Sequence, residues 1–396
     1  MIHVAIDTSG TEKNRSTEDA NYKALKRLVD ANEITIHVPY MVQREIETQE
    51  KEFYLERSRA LLSSLKKFNN IKKSHGIHAT FNQIYQQVFS LEEAMNADAI
   101  SFSHSWLQGL NCNIHPLTNQ QSTLAWEAYF NGTFPLTSPK NRMDIPDSFI
   151  CRSIEDILNQ VTILTLIAKD NKIVNTFKNN QNIKIYKTLR EFLESPEIQV
   201  ILEKLNTSIG LQILHNKVSN LLGFIINYEN STNLIHDFLE SYVGESLLYK
   251  TINGIPFSNE GNGEATISSY HNGRAVKLNL EKPINYGANQ IGFPFELEIE
   301  VNIDYFIDKH EYYSEYYNDD SPTSDISVED WNDHVVHAED EVDLKVTGIV
   351  SITIDPTEID PIELAECDAS KLDDYFNDLY CMGSVKIESI DSIELN

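Results

Sequence analysis

Two apolar runs in the first half of the chain, residues 2–6 (IHVAI) and 161–167 (VTILTLI), each end within three residues of a carboxylate, Asp7 and Asp170. A short, nearly continuous run closed by turn residues, such as Asp7-Thr8-Ser9-Gly10, reads as a strand of a parallel sheet buried on both faces. Helical spacing follows the first run. Tyr22, Leu25, Leu28 and Val29 form one stripe, Ser16 and Asp19 resemble a capping box ahead of it, and Asn32 ends it. Ile34, Ile36 and Val38 then alternate as a strand, and Pro39 opens a long helix through Val42, Glu45 and Ile46 toward Phe68. Strand, helix, strand, helix is the rhythm of an α/β fold built on a parallel sheet flanked by helices.

A third acidic segment joins these two. In Arg142-Met143-Asp144-Ile145-Pro146-Asp147-Ser148-Phe149-Ile150, two acids flank a proline suited to the first turn of a helix, and Ile150, Ile154 and Ile157 follow at i, i+4 and i+7. The acids therefore gather at the mouth of a helix with a buried side, where the dipole stabilises each by about 0.3–1 kcal/mol. Beyond Asp170 the pattern gives a helix over 171–177, a strand through Ile183 and Ile185, and a short helix over 189–193 capped by Thr188. Residues 70–143 are less regular: helical spacing over 81–89 and 124–130 is separated by the polar stretch 101–121, which together reads as a helical insertion.

The 396 residues exceed one ordinary domain, and the charge divides them. Residues 1–200 hold 22 Lys and Arg against 23 Asp and Glu; residues 201–396 hold 10 against 37. We expect an α/β domain over 1–195, a helical connector or dimerisation helix over 196–245, and an acidic, antiparallel β-rich (α+β) domain over 246–396 with strands near 265–267, 276–280, 295–303 and 344–354. The tyrosine- and acid-rich stretch 312–333 reads as a loop. Four dispersed cysteines form no CxxC pair, and His75, His78, His104 and His115 lack ligand spacing, so no zinc site is implied. No apolar stretch approaches a membrane span and the first residues lack a signal-peptide pattern, so the expected location is cytoplasmic, with no membrane partner. Arg57, Arg59, Lys66, Lys67, Lys72 and Lys73 offer either a phosphate-binding face or an ordinary solvated helix face.

In chain order, IDTSG with Asp7, VPYMVQREIE with Glu45, RMDIPDSFI with Asp144 and Asp147, and LIAKDN with Asp170 resemble the motifs of the PIN-domain nucleases, in the larger PIN-like branch with an inserted helical region. The resemblance covers about residues 1–195. It implies a catalytic quartet of Asp7, Glu45, Asp147 and Asp170 at the carboxyl ends of the strands, with Mg²⁺ or Mn²⁺ held by Asp7, Asp147 and Asp170 and with Asp144 as a further ligand or a helix cap. Glu45 would ligate or orient the water, and Thr8, Ser9 and Asn171 would contact the scissile phosphate or support the ligands. The donor types suit such ions, because hard divalent cations take oxygen ligands and clustered carboxylates repel one another without one. The implied activity is that of a divalent-metal-dependent endoribonuclease, toxin-like in a stress or defence setting; RNA rests on the resemblance, since the residue chemistry does not separate RNA from DNA. The competing expectation is a non-catalytic regulatory protein whose acidic second half binds a basic partner or inhibits the first domain.

Overall fold

Five parallel strands carry the first half of the chain. In the computed structural model, β1 (Ile2–Ile6), β2 (Ile34–Pro39), β3 (Asn113–His115), β4 (Leu164–Ile167) and β5 (Ile183–Tyr186) lie in the order β3-β2-β1-β4-β5. The structure describes residues 1–11, 15–69, 75–133, 136, 139–141, 145–205, 221–256, 258–259, 263–287, 289–316, 326–354, 360, 362, 375, 377–378 and 380–396. They divide into two units, Met1–Leu202 and Glu203–Asn396. The expected connector is thus split, its first residues falling in the first unit and the rest in the second.

The central pair of the sheet decides where the acids go. Ile6 of β1 lies beside Ile167 of β4, and both are buried, so the residues after each strand emerge side by side at the carboxyl edge. Helices α1 (Ala20–Asp30), α2 (Tyr40–Asn69), α3 (His75–Gly109), α4 (Asn119–Asn131), α5 (Ile145–Val161), α6 (Asn171–Phe177), α7 (Leu189–Leu193) and α8 (Pro196–Lys204) complete the unit. The α5 stripe Ile150, Ile154 and Ile157 is buried as its spacing requires.

Several local expectations are corrected. Asp19 alone caps α1, accepting from the Tyr22 N–H, and Ser16 lies outside the helix. Pro39 is the last residue of β2, not the first of α2. The apolar run 161–167 is only half strand: α5 runs through Val161, and Thr162 takes a left-handed φ of 73° that turns the chain into β4. The insertion expected over 70–143 is not purely helical, because β3 belongs to the frame and pairs with β2 through His37–Asn113 and Pro39–His115. Its polar stretch begins as the end of α3, where Trp106, Leu107 and the following Leu110 are buried and the Tyr22 hydroxyl donates to the Trp106 carbonyl. A ladder of imidazoles crosses this edge: His3 Nδ1 lies 3.0 Å from His37 Nε2, and His37 Nδ1 lies 2.9 Å from His115 Nε2. Burial, then the His115 and His3 rings, push His37 down to about 4.

The second unit is an antiparallel sheet of strands much longer than the short runs anticipated. β10 (Gln290–Asp308) and β12 (Val335–Thr353) pair along their full length. The shorter β7 (Ala265–Tyr270), β8 (Arg274–Leu278) and β9 (Ile284–Gly287) flank β10, whereas β11 (Ser327–Asp330) and β13 (Ser384–Leu395) flank β12. β6 (Thr251–Ile252) pairs with β7. One face of β10 carries Phe293, Phe295, Leu297, Ile299, Val301 and Ile303, all buried; Ile235 and Leu239 of the helix Leu234–Tyr242 lie in the same core. The expected loop 312–333 contains the end of the helix Lys309–Tyr316 and strand β11 among its described residues. No helix of the described residues is long and apolar enough to cross a membrane.

Candidate active site

One hydroxyl ties the two central strands together. After β1, Thr8–Gly10 makes a single 3-10 turn capped by Asp7, whose Oδ2 accepts from the Ser9 N–H at 2.9 Å and from the Ser9 hydroxyl. The Ser9 oxygen in turn accepts from the N–H groups of Lys169 and Asp170, each at 2.9 Å, which uses its one donor and both lone pairs. The turn passes so close to β4 that a Cβ on Gly10 would stand 2.7 Å from the Ile167 carbonyl oxygen, a position only glycine tolerates. Asp170 caps α6, its Oδ1 accepting from Lys172 N at 2.7 Å and Ile173 N at 3.2 Å. Asp147 sits in the first turn of α5, 3.4 Å from Lys172 Nζ, and Glu45 on α2 accepts from the Thr8 hydroxyl at 2.8 Å.

Four elements thus place Asp7, Glu45, Asp147 and Asp170 around one open pocket of about 470 Å³, with Thr8 and Ser9 also on its wall. Burial, then the Asp170 carboxylate, hold Asp7 above the usual carboxylate range against the opposing Ser9 hydrogen bonds. Burial pushes Glu45 up to about 7; the Thr8 hydrogen bond opposes this, and Asp7, Asp147 and Asp170 add to it. The donor set is therefore all carboxylate oxygen, partly desolvated and mutually repulsive, which fits a hard divalent cation. The carboxylates do not already form a closed ligand shell. Among the described residues, the groups whose ligand atoms lie within 4.8 Å of one another are His236, Asp237 and Glu240, and His271, Glu300 and Glu341, both in the second unit.

Other anticipated residues fall elsewhere. Asn171 is exposed and does not line the pocket. Arg57, Arg59, Lys66 and Lys67 are carried by α2, whereas Asp144, Lys72 and Lys73 lie outside the described residues. Two cations beside the acids were missed: Arg44, on the pocket wall and paired with the buried Glu47, and Lys172, which faces Asp147. The signal for Lys172 was its place two residues after a helix-capping Asp, which turns it toward the acids.

The raised carboxylates set a pH dependence of stability. Between about 4.5 and about 7, folded Glu45 keeps a proton that the unfolded chain has released, so its contribution to stability is full below that window and lost as pH rises through it. His37 acts in the opposite sense, since its depressed folded value costs stability as pH falls from 6.5 toward about 4. Glu45→Gln isolates the first effect. In chelator-treated protein the melting temperature of the variant should exceed that of wild type at pH 8 by a few degrees, roughly 2–4 °C per kcal/mol, and the gap should close at pH 5. A gap that does not change with pH would contradict the assignment.

The family model described as PIN domain matches residues 4–172, which takes in β1, α2, α5, β4 and the four carboxylates. No family model matches the second half, and neither a curated protein nor a solved structure matches the chain. PIN domains are generally nucleases and usually depend on divalent metal ions. Residues 4–172 of this chain, with their parallel sheet and flanking helices, are a PIN domain.

Proposed function

We propose that the first unit is an endoribonuclease that hydrolyses RNA phosphodiester bonds with Mg²⁺ or Mn²⁺ held by Asp7, Asp147 and Asp170. The observation that carries this reading is the convergence of four carboxylates from separate elements on one open pocket. When bound, such an ion lowers the pKa of the attacking water and stabilises charge on the phosphodiester. The chain's own residues supply the rest. Ser9 fixes the Asp7 carboxylate and, through the Lys169 and Asp170 amides, the spacing of the two strand ends. Thr8 holds Glu45 Oε2, which leaves Oε1 to take up a proton in the neutral pH range. Lys172 and Arg44 flank the acids and suit the phosphate oxygens of the strand.

The test is cleavage of end-labelled single-stranded RNA by the full chain. Internal cuts should appear with Mn²⁺ or Mg²⁺ and stop with chelator, and the same sequence as DNA should be cut at least tenfold more slowly. Failure to cut any RNA with either ion would overturn the reading. A toxin-like role in stress or defence adds that brief expression in cells generates new RNA ends.

The second unit favours a further reading of its own. On the outward face of its sheet Glu300 lies directly opposite Asp343, and Glu339 opposite Asp304, with Glu298 and Glu341 beside them. Like charges placed opposite one another destabilise a sheet. Arg274 answers Glu298, Glu300 and Asp343 within the sheet and His271 faces Glu300 and Glu341, so the repulsion that a basic protein partner would offset is that between Asp304 and Glu339.

A further inference from the structure

A second pocket lies against the same helix that carries Glu45. It has a volume of about 570 Å³ and is walled by Gln43 of α2, by His104 and Gln108 of α3, and by Asn111, with Leu107 and Ile114 as its apolar lining. Three side-chain amides and an imidazole around an apolar floor are what a planar heterocycle with a polar edge requires. No part of this pocket belongs to the acidic quartet.

Its relation to the acids is set by the helix. Successive α-helical residues are rotated by about 100°, so Gln43 and Glu45 lie about 200° apart around α2, and the two pockets open on opposite sides of its first turns. Tyr40 and Arg44 fall between them. They are neighbours at i and i+4, and both are solvent-facing: Tyr40 is 40 % exposed and the Arg44 side chain 55 %. Buried Glu47 fixes this ridge. Its carboxylate takes Arg44 on one side, and Gln43 Nε2 at 3.1 Å and His104 Nε2 at 3.0 Å on the other. A cation, an exposed aromatic ring and an amide-lined cleft therefore succeed one another from the acids, over a distance on the order of the helix diameter, about 10–12 Å.

We infer that the Gln43–Gln108–Asn111 pocket takes a nucleobase of a single-stranded RNA substrate, at a position beyond the nucleotide whose phosphate lies at the acids. The strand crosses the start of α2 with Arg44 on a phosphate and Tyr40 stacked on a base. Single-stranded RNA suits this path because its unstacked bases can be splayed out, stacked on aromatic rings and read along their polar edges. The inference rests on the nuclease reading for its substrate, but not for its geometry.

The experiment uses four oligoribonucleotides, identical except for the base at one position, moved in turn along the five positions around the cut site. The full chain should prefer one base at a single position by about 10- to 100-fold in kcat/KM, the discrimination expected of one well-placed amide contact. In Gln108→Leu and in Asn111→Leu that ratio should fall to within about threefold. The same four oligomers are titrated into Asp7→Asn protein, where the base preference in affinity should persist and should vanish when Gln108→Leu is added. A wild-type enzyme that cuts with no base preference, or leucine variants that keep the preference, would overturn the pocket assignment. Base-dependent binding without any cleavage would sustain the pocket and refute the nuclease reading. Neither cleavage nor base-dependent binding would refute both.

Discussion

Asp7→Asn should lower RNA cleavage by at least about 10³-fold while the folded unit becomes no less stable. A divalent ion contributes several kcal/mol to stabilising phosphoryl charge, and each 1.36 kcal/mol is tenfold in rate. Losing its central carboxylate therefore removes most of the acceleration. The stability side comes from the position of the residue: Asp7 is 2 % exposed, and its carboxyl is held above its usual range by burial and by Asp170. A neutral isostere escapes that penalty and keeps an oxygen to accept from Ser9. Gel-resolved cleavage together with a melting curve checks both halves, and a variant that is inactive because it has unfolded would count against the account.

Arg15→Met should be the most destabilising single change near the site, by about 3–5 kcal/mol. The Arg15 side chain is 1 % exposed; it pairs with the carboxylate of buried Glu50 at 3.1 Å and donates to Gln49 Oε1 at 2.8 Å and Thr11 Oγ1 at 3.1 Å. Burial pushes Arg15 down and Glu50 up, so both ions are costly to desolvate and each relies on the other. Methionine would leave Glu50 buried with its charge unanswered. The melting transition should fall by roughly 6–20 °C at about 2–4 °C per kcal/mol. Arg15→Met with Glu50→Leu should recover most of that loss, since apolar replacement of a whole buried pair is often neutral. Gln49 lines the acid pocket and Thr11 bonds back to the Thr8 carbonyl, so the single variant should also lose cleavage. A melting shift under about 2 °C would show that the pair holds nothing in place.

The parts of this molecule that were legible in the sequence are those whose physics is local. The run IHVAID had to be a buried strand ending in an acid, because continuous apolar residues cannot face water on alternate positions. Ile150, Ile154 and Ile157 likewise fixed which side of α5 is inward. Glu45 was different: four glutamates crowd one stretch of α2, and only tertiary partners sort them. Glu47 is taken by Arg44 and His104 and Glu50 by Arg15, whereas Thr8 reaches Glu45. β3 was invisible because its three residues, Asn113-Ile114-His115, carry no strand pattern and are held by their neighbour His37. The length of β10 was hidden by its outward acids and by Pro294, so that only 295–303 of its 19 residues read as a strand. The amide pocket came from packing between distant segments, for which no spacing within the chain is a guide.

The central claim is that distant carboxylates share a divalent cation, and Mn²⁺ titration by calorimetry tests it most directly. Wild-type protein near pH 7 should bind Mn²⁺ with release of a proton, because Glu45 titrates at about 7 and gives up that proton as the cation arrives. Asp7→Asn, Asp147→Asn and Asp170→Asn should each weaken binding at least tenfold, and Glu45→Gln should remove the proton release. Equal Mn²⁺ affinity in wild type and all three aspartate variants would contradict the account.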